Sequence, residues 1–144
     1  MGKPFKREVQ DLEKTYSWAR KCDVTTIAKI IRATWHFPLI SVGSGGSNSV
    51  AELHVAFHRR FFESIAQAVT PMELISVLPS DGFASVWFMS ANGNNIDIRR
   101  AFKHTALKEP KALSALVGNS NSKLANLSKK YLYTNIFEYK LPSG

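Results

Sequence analysis

The stretch that decides the fold is FPLISVGSGGSNSVAELHVAFH, residues 37–58. It opens with a short apolar run, FPLISV (37–42), passes through a glycine-serine loop, GSGGSNS (43–49), and continues as a helical segment from Val50 to Ser64. The apolar run does not alternate with polar residues, as a strand buried on one face would. A continuous run bounded by turn residues reads as a strand covered on both sides.

The same unit recurs downstream. QAVT (67–70) reads as a second strand, and Pro71 opens a helix, MELISVL, at the first turn, where a missing N–H costs nothing. ASVWFM (84–89) is a third strand, closed by SANGNN (90–95) and followed by a helix from Asp97 to Lys108. ALSALV (112–117) is a fourth, closed by GNSNS (118–122) and followed by a helix from Lys123 to Lys130, and YLYTNIF (131–137) is a fifth. Upstream, Lys6–Arg20 reads as one helix whose Val9, Leu12, Tyr16 and Ala19 form a stripe at 3-4-3 spacing. Asp23 reads as the N-cap of a second helix reaching Thr34, with Ile27, Ile30 and Ile31 on its inner face. Two helices followed by repeated strand–helix units predict an α/β protein, a doubly wound parallel sheet.

Length and composition agree with one domain over 1–144: a helical segment to residue 35 and an α/β core over 36–140. The chain is 44% hydrophobic, 11% aromatic and 21% charged, which excludes a disordered tail, a collagen-like fibre and a coiled coil. A single cysteine, Cys22, has no internal partner for a disulfide, and a reducing cytoplasm is the expected compartment. No run approaches the roughly 18 apolar residues of a membrane-spanning helix, and no membrane contact is expected. MGKPFKREVQ (1–10) lacks the apolar core of a secretory signal. Lys6 stands where a myristoylation signal needs Ser or Thr. LPSG (141–144) follows soon after the last strand and reads equally as a natural end or as a cut within a longer protein. With 19 Lys and Arg against 11 Asp and Glu, the formal net charge of +8 favours anionic partners.

Three strand ends carry loops rich in Gly, Ser and Asn, each running into a helix. Glycines let backbone N–H groups approach an anion. Helix N-termini add unpaired donors and partial positive charge, and Ser and Asn suit hydroxyls and phosphate oxygens. Taken together they predict a polyol-phosphate pocket. Asn48 stands where a dinucleotide fingerprint needs its third glycine, and no Lys-Ser/Thr pair follows the glycines as a P-loop requires. The bland alternative is that the loops are only good turns and caps.

These residues carry a resemblance. FPLISVGSGGSNSVAELHVAFH, TPMEL, VWFMSANGNNIDIRRAF and SALVGNSNSKLANLS, in that order and spacing from about Ile27 to about Phe137, resemble the sugar isomerase (SIS) domain family. The resemblance implies a three-layer α-β-α sandwich, flavodoxin-like, with a five-stranded parallel sheet. It also implies homodimers and phosphorylated-sugar ligands, as in glucosamine-6-phosphate synthase isomerase domains, sedoheptulose-7-phosphate isomerase and sugar-responsive transcription regulators. By position it places Gly45, Gly46 and Ser47 at the sugar-contacting end of the first loop. Ser90, Asn92, Gly93, Asn94 and Asn95 stand at the family's Ser-x-Ser-Gly-x-Thr phosphate cradle, and Ser122 opens the helix after the fourth strand. Asn92 and Asn95 replace a Ser and a Thr, and the longer amides imply a smaller or differently placed phosphate.

Isomerisation between aldose and ketose needs a base to move a proton between adjacent carbons. Glu52 and His54, behind the first loop, and Glu73 of the PMEL helix are the catalytic candidates; lone histidines such as His54 and His58 more often serve packing. In the heptose-isomerase version of the loop, the metal-binding His and Glu would fall on Leu53 and Phe57, so that metal site is not carried over, and no cofactor is expected. The family also draws catalytic residues from segments beyond the fifth strand. The expected function is phosphosugar binding, within an isomerase or a sensor. The competing expectation is an interaction module with a vestigial pocket, its basic clusters (Arg59-Arg60, Arg99-Arg100-Lys103, Lys129-Lys130) meeting a protein or, less favoured, a nucleic acid.

Overall fold

The computed structural model describes residues 5–77, 82–131 and 134–139. Three helices come first: α1 (Phe5–Gln10), α2 (Leu12–Ala19) and α3 (Thr25–Thr34). Five strands then alternate with four helices: β1 (Leu39–Val42), α4 (Gly46–Phe62), β2 (Ala66–Val69), α5 (Pro71–Val77), β3 (Ser85–Ser90), α6 (Ile96–Ala106), β4 (Ala112–Val117), α7 (Lys123–Ser128) and β5 (Thr134–Glu138). The sheet order is β2-β1-β3-β4-β5 and every pairing is parallel. This is the expected doubly wound sheet, and its order reverses between β1 and β3.

Each strand feeds two cores, which explains the unbroken apolar runs. On one face Val42, Val86, Phe88, Leu113, Ala115 and Val117 pack with Leu74 of α5, Ile98 and Phe102 of α6 and Leu124 of α7. On the other, Leu39, Trp87, Met89 and Phe137 pack with Ala51 and Val55 of α4 and with Ile27, Ile30 and Ile31 of α3. Trp87 and Phe88, adjacent in sequence, therefore anchor opposite layers: Trp87 stacks on Phe137 and Phe88 meets Phe102 edge-on.

Several boundaries differ from the sequence reading. The single helix over 6–20 is two, because Asp11 interrupts it; aspartate competes for backbone donors and favours helix ends over interiors. Its apolar stripe does not reach the core, and among the described side chains neither α1 nor α2 contributes a buried one. Asp23 is not the N-cap of α3, a place taken by Val24, although its carboxylate still accepts from Thr25 N–H. Hydrogen bonding from the Thr25 side chain, and secondarily from its backbone N–H, holds the Asp23 carboxyl below its usual range. Most consequential, α4 begins at Gly46, four residues before the expected Val50. Strands β2, β3 and β5 are offset by one to three residues from the predicted runs. Leu78, the last residue of the predicted PMEL helix, and Leu132 and Tyr133, in the predicted fifth strand, lie outside the described residues.

Candidate functional site

In an open parallel sheet the ligand crevice lies beyond the strands' carboxyl ends where the order reverses. Here that point is the gap between the ends of β1 and β3. A cavity of about 120 Å³ lies there, lined by Ser44 and Ser47 from the first loop, Met89, Ser90, Ala91 and Asn92 at the end of β3, and Asn95 and Ile98 at the start of α6. Enclosing ligand pockets run to about 300–1,000 Å³, so this one has room for only one end of a ligand.

The first loop is built by its glycines. Gly43 accepts no side chain: a Cβ there would lie 2.3 Å from the Ser47 carbonyl oxygen. Gly45 sits at φ 56°, the left-handed region that glycine enters without strain. With the chain turned there, the Ser44 and Gly45 carbonyls accept from Ser47 and Asn48 N–H, and the helix winds from Gly46 onward. Ser47 is thereby placed in the first turn of α4, beside the cavity. No side chain caps the N-terminus of α4.

The other two loops are closed differently. The Asn95 side-chain Oδ1 accepts from Asp97 and Ile98 N–H, which caps α6. Asn92 accepts from Asn94 N–H and Ser90 Oγ from Gly93 N–H, folding 90–95 into a tight cradle. The N-terminus of α7 is spent on internal bonds: Lys123 N–H donates to Asn94 Oδ1, Leu124 N–H to the Gly93 carbonyl and Ala125 N–H to Ser122 Oγ. Gly93, at φ 65°, packs so closely on Ser122 that a Cβ would meet its Oγ at 2.2 Å. The third loop is therefore a buttress for the second. The bonds of Asn92 and Asn95 use their oxygens and leave their NH₂ groups out; the Ser90 hydroxyl accepts one bond and still has its proton to give.

The structure thus gathers Ser47, Ser90, Asn92 and Asn95 around one cavity. Gly45 shapes the turn that precedes α4, Gly46 starts the helix, and Gly93, Asn94 and Ser122 hold the loops together from outside the cavity lining. Ser44 and the Ala91 backbone region were not singled out in the sequence. Ser44 lies inside the quoted GSGGSNS loop, where only the coil of the turn shows which serines face inward.

The three catalytic candidates stand elsewhere. Glu52 is exposed on α4 and does not line the cavity. Glu73 accepts from Thr70 N–H while the Thr70 hydroxyl accepts from Glu73 N–H, a reciprocal capping box at the start of α5 that holds the Glu73 carboxyl below its usual range. Glu73 borders a separate, apolar cavity of about 270 Å³ over β1 and β2, among Ile40, Val69, Leu74 and Phe83. His54 lies against the sheet, its Nδ1 sharing a 3.2 Å hydrogen bond with Ser41 Oγ and its ring edge-on to Trp87. His58, one turn on, is buried against Phe62.

Burial, and secondarily the nearby His58, depress His54 from 6.5 to about 4. The sign follows from which state takes the proton. The unfolded chain protonates His54 near 6.5 and the folded chain resists until about 4, so its contribution is full above pH 6.5 and is lost as pH falls toward 4. The loss should reach about 3 kcal/mol. Denaturant unfolding at pH 7 and pH 4.5 should show this decline, and His54→Gln should flatten it; an unchanged slope in the variant would remove His54 as its source.

Comparison with known proteins places the chain at the level of fold. The sequence matches no family model and no curated protein. Among solved structures, the Vibrio vulnificus NanR protein complexed with ManNAc-6P superposes with a TM-score of 0.70 at 15% identity, covering 100% of this chain and 53% of that one. E. coli CFT073 c3406, in complex with a phosphosugar, gives 0.69 at 16% identity, over 96% and 70%. The sugar isomerase domain of an RpiR transcription factor from Sphaerobacter thermophilus gives 0.65 at 15%, over 97% and 78%. The chain has the fold of the sugar isomerase domain, as its motifs predict. It spans between about half and about four fifths of these three chains.

Proposed function

We propose that this protein binds a phosphorylated sugar, with the phosphoryl group at the N-terminus of α4 and in the cradle of Ser47, Ser90, Asn92 and Asn95. One observation carries the reading. Of the three loop-to-helix junctions, only α4 lacks a side-chain cap, and it borders the cavity where the strand order reverses. An uncapped helix N-terminus favours an anion, and neutral Ser and Asn donors complete its coordination without a counter-charge. The net charge of +8 attracts such a ligand from a distance. NanR and c3406, which share the fold, are each complexed with a phosphosugar.

Binding is favoured over turnover by these residues alone. The cavity lining holds no acid or base among the described residues, and Glu52, His54 and Glu73 all lie outside it. A sensing or substrate-holding role therefore suits this chain better than proton transfer from its own side chains.

Thermal unfolding against ManNAc-6P, a set of pentose and hexose phosphates, their free sugars and inorganic phosphate tests the reading. A ligand at 100 times its dissociation constant adds about 2.7 kcal/mol and raises the midpoint by several degrees. A shift with a sugar phosphate but not with its free sugar is expected. Ser90→Ala should weaken that binding by about 1–3 kcal/mol, roughly 5- to 150-fold. A folded protein that shifts with none of the sugar phosphates would reduce the cavity to scaffold and return attention to the interaction-module reading.

A further inference from the structure

The basic clusters of the sequence do not all gather in one place. Arg59 and Arg60 lie on α4, which packs on the layer with α3. The Arg59 guanidinium donates to the Ala66 carbonyl, so that cluster is partly spent on holding β2. The other two clusters meet on the opposite layer. Phe102 of α6 packs edge-on against Tyr131, just past α7, with ring centroids 6.1 Å apart. Lys103 and Lys130 are the chain neighbours of those two rings, so residues 28 or more positions distant come to adjacent helices. Ile98, Ala101, Phe102, Thr105 and Ala106 of α6 and Leu124, Ala125 and Ser128 of α7 are buried. Arg100, Lys103, Lys123, Lys129 and Lys130 are all exposed.

The charge is concentrated there. Residues 96–130 hold eight Lys and Arg against Asp97 and Glu109, which is six of the chain's net eight charges in about a quarter of its length. Among the described residues no carboxylate pairs with any of the five exposed cations. Lys129 Nζ donates only to the Ser120 carbonyl, at 3.4 Å, which leaves its charge unbalanced.

We propose that the α6–α7 face binds the phosphate backbone of a double-stranded nucleic acid. Its composition selects that partner among polyanions. A protein partner needs apolar anchors at the centre of the contact, and the exposed large hydrophobic side chains of this segment are only Ile96 and Leu107, at the two ends of α6. Protein interfaces are also depleted of lysine, the residue at four of these five positions. A membrane surface calls for bulky apolar side chains beside the lysines, and the same shortage argues against it. Asn119, Asn121 and Asn126 are exposed on the same segment and add neutral donors for phosphate oxygens. Phe102, the one Phe, Tyr or Trp of residues 96–130, is buried, so no ring is offered to an unpaired base and a duplex is favoured over a single strand. The dimensions agree. With eleven residues α6 is about 16 Å long, and a duplex presents roughly ten phosphate charges over that length. The inference rests on where the cations lie and is independent of what the cavity binds.

The test is fluorescence anisotropy of a labelled DNA duplex of about 20 base pairs, and of its RNA counterpart, titrated with the full chain between about 50 and 200 mM salt. Wild type should bind, with log affinity falling against log salt at a slope of about −4, as four or five phosphate contacts require. Arg100→Glu with Lys103→Glu, and separately Lys129→Glu with Lys130→Glu, should each weaken binding about tenfold or more and flatten the slope by about two. Arg60→Glu with Lys14→Glu reverses as much charge elsewhere, and screening should hold its effect below about threefold. Thermal unfolding checks that each pair is folded, and the Gln versions replace any pair that is not. Equal losses from the Arg60 and Lys14 pair would mean that net charge, and not this face, attracts the duplex. A single strand held more tightly than either duplex would mean that bases are read. Binding of phosphatidylserine vesicles or polyglutamate in place of a duplex would assign the face to a membrane or an acidic protein. Binding of none of these would leave the cations as a solvated surface. Each of these four results overturns the proposal.

Discussion

Gly43→Ala is expected to destroy the site and to destabilise the protein by several kcal/mol. The added Cβ would lie 2.3 Å from the Ser47 carbonyl oxygen, 2.6 Å from its carbon and 2.7 Å from the Asn48 Cα. All three are backbone atoms at the start of α4, so no side-chain rotation relieves the clash. The helix end itself would have to retreat from β1, opening the cavity that Ser44 and Ser47 close. Gly45→Ala separates space from conformation. Nothing lies within 4 Å of a Cβ at Gly45, but its backbone, at φ 56° and ψ −131°, costs a side chain about 1–3 kcal/mol. Denaturant unfolding of the two variants, with sugar-phosphate binding measured beside it, should rank Gly43→Ala well below Gly45→Ala in both. Equal losses would show that the loop's requirement is conformational freedom at both glycines and not close approach at one.

Phe88→Ala is expected to cost about 3–5 kcal/mol, the usual loss when a fully buried phenylalanine leaves a cavity. Phe88 is wholly inaccessible and meets Phe102 of α6 edge-on at 5.2 Å, joining the central strand to the helix whose N-terminus borders the site. For a chain of this length the midpoint of thermal unfolding should fall by roughly 10–15 °C. Met72→Ala, at an exposed position on α5, serves as the control and should stay within about 0.5 kcal/mol. A loss at Phe88 no larger than at Met72 would mean that the layer between β3 and α6 is loosely packed.

The α/β class was legible because the strands are buried on both faces. That burial removes the polar alternation from FPLISV, ASVWFM and ALSALV, and the change from continuous apolar runs to helical spacing marks each unit. The turn residues were legible too, since Gly, Ser and Asn at strand ends follow local backbone rules. The first helix departs from its sequence pattern for a physical reason. Val9, Leu12 and Tyr16 form a sound amphipathic stripe, and spacing reports that a face is apolar without reporting what covers it. α4 starts earlier than its sequence suggests because serine and asparagine read as loop, while the positive φ at Gly45 lets the helix begin before them.

For the site, sequence alone determined which residues stand at the strand ends and that their chemistry suits a phosphate. Those are properties of residue type and order. Only the tertiary structure decided which of three similar loops faces the crevice, because loops far apart in the chain meet through bonds such as Lys123 N–H to Asn94 and Leu124 N–H to Gly93. It assigned Asn95 to capping α6, spent the N-terminus of α7 on the second loop, and left α4 without a side-chain cap. It likewise turned His54 toward Ser41 and Trp87 and set Glu73 in a capping box. A side chain's direction depends on the rotation of its helix against the sheet, and long-range packing sets that rotation.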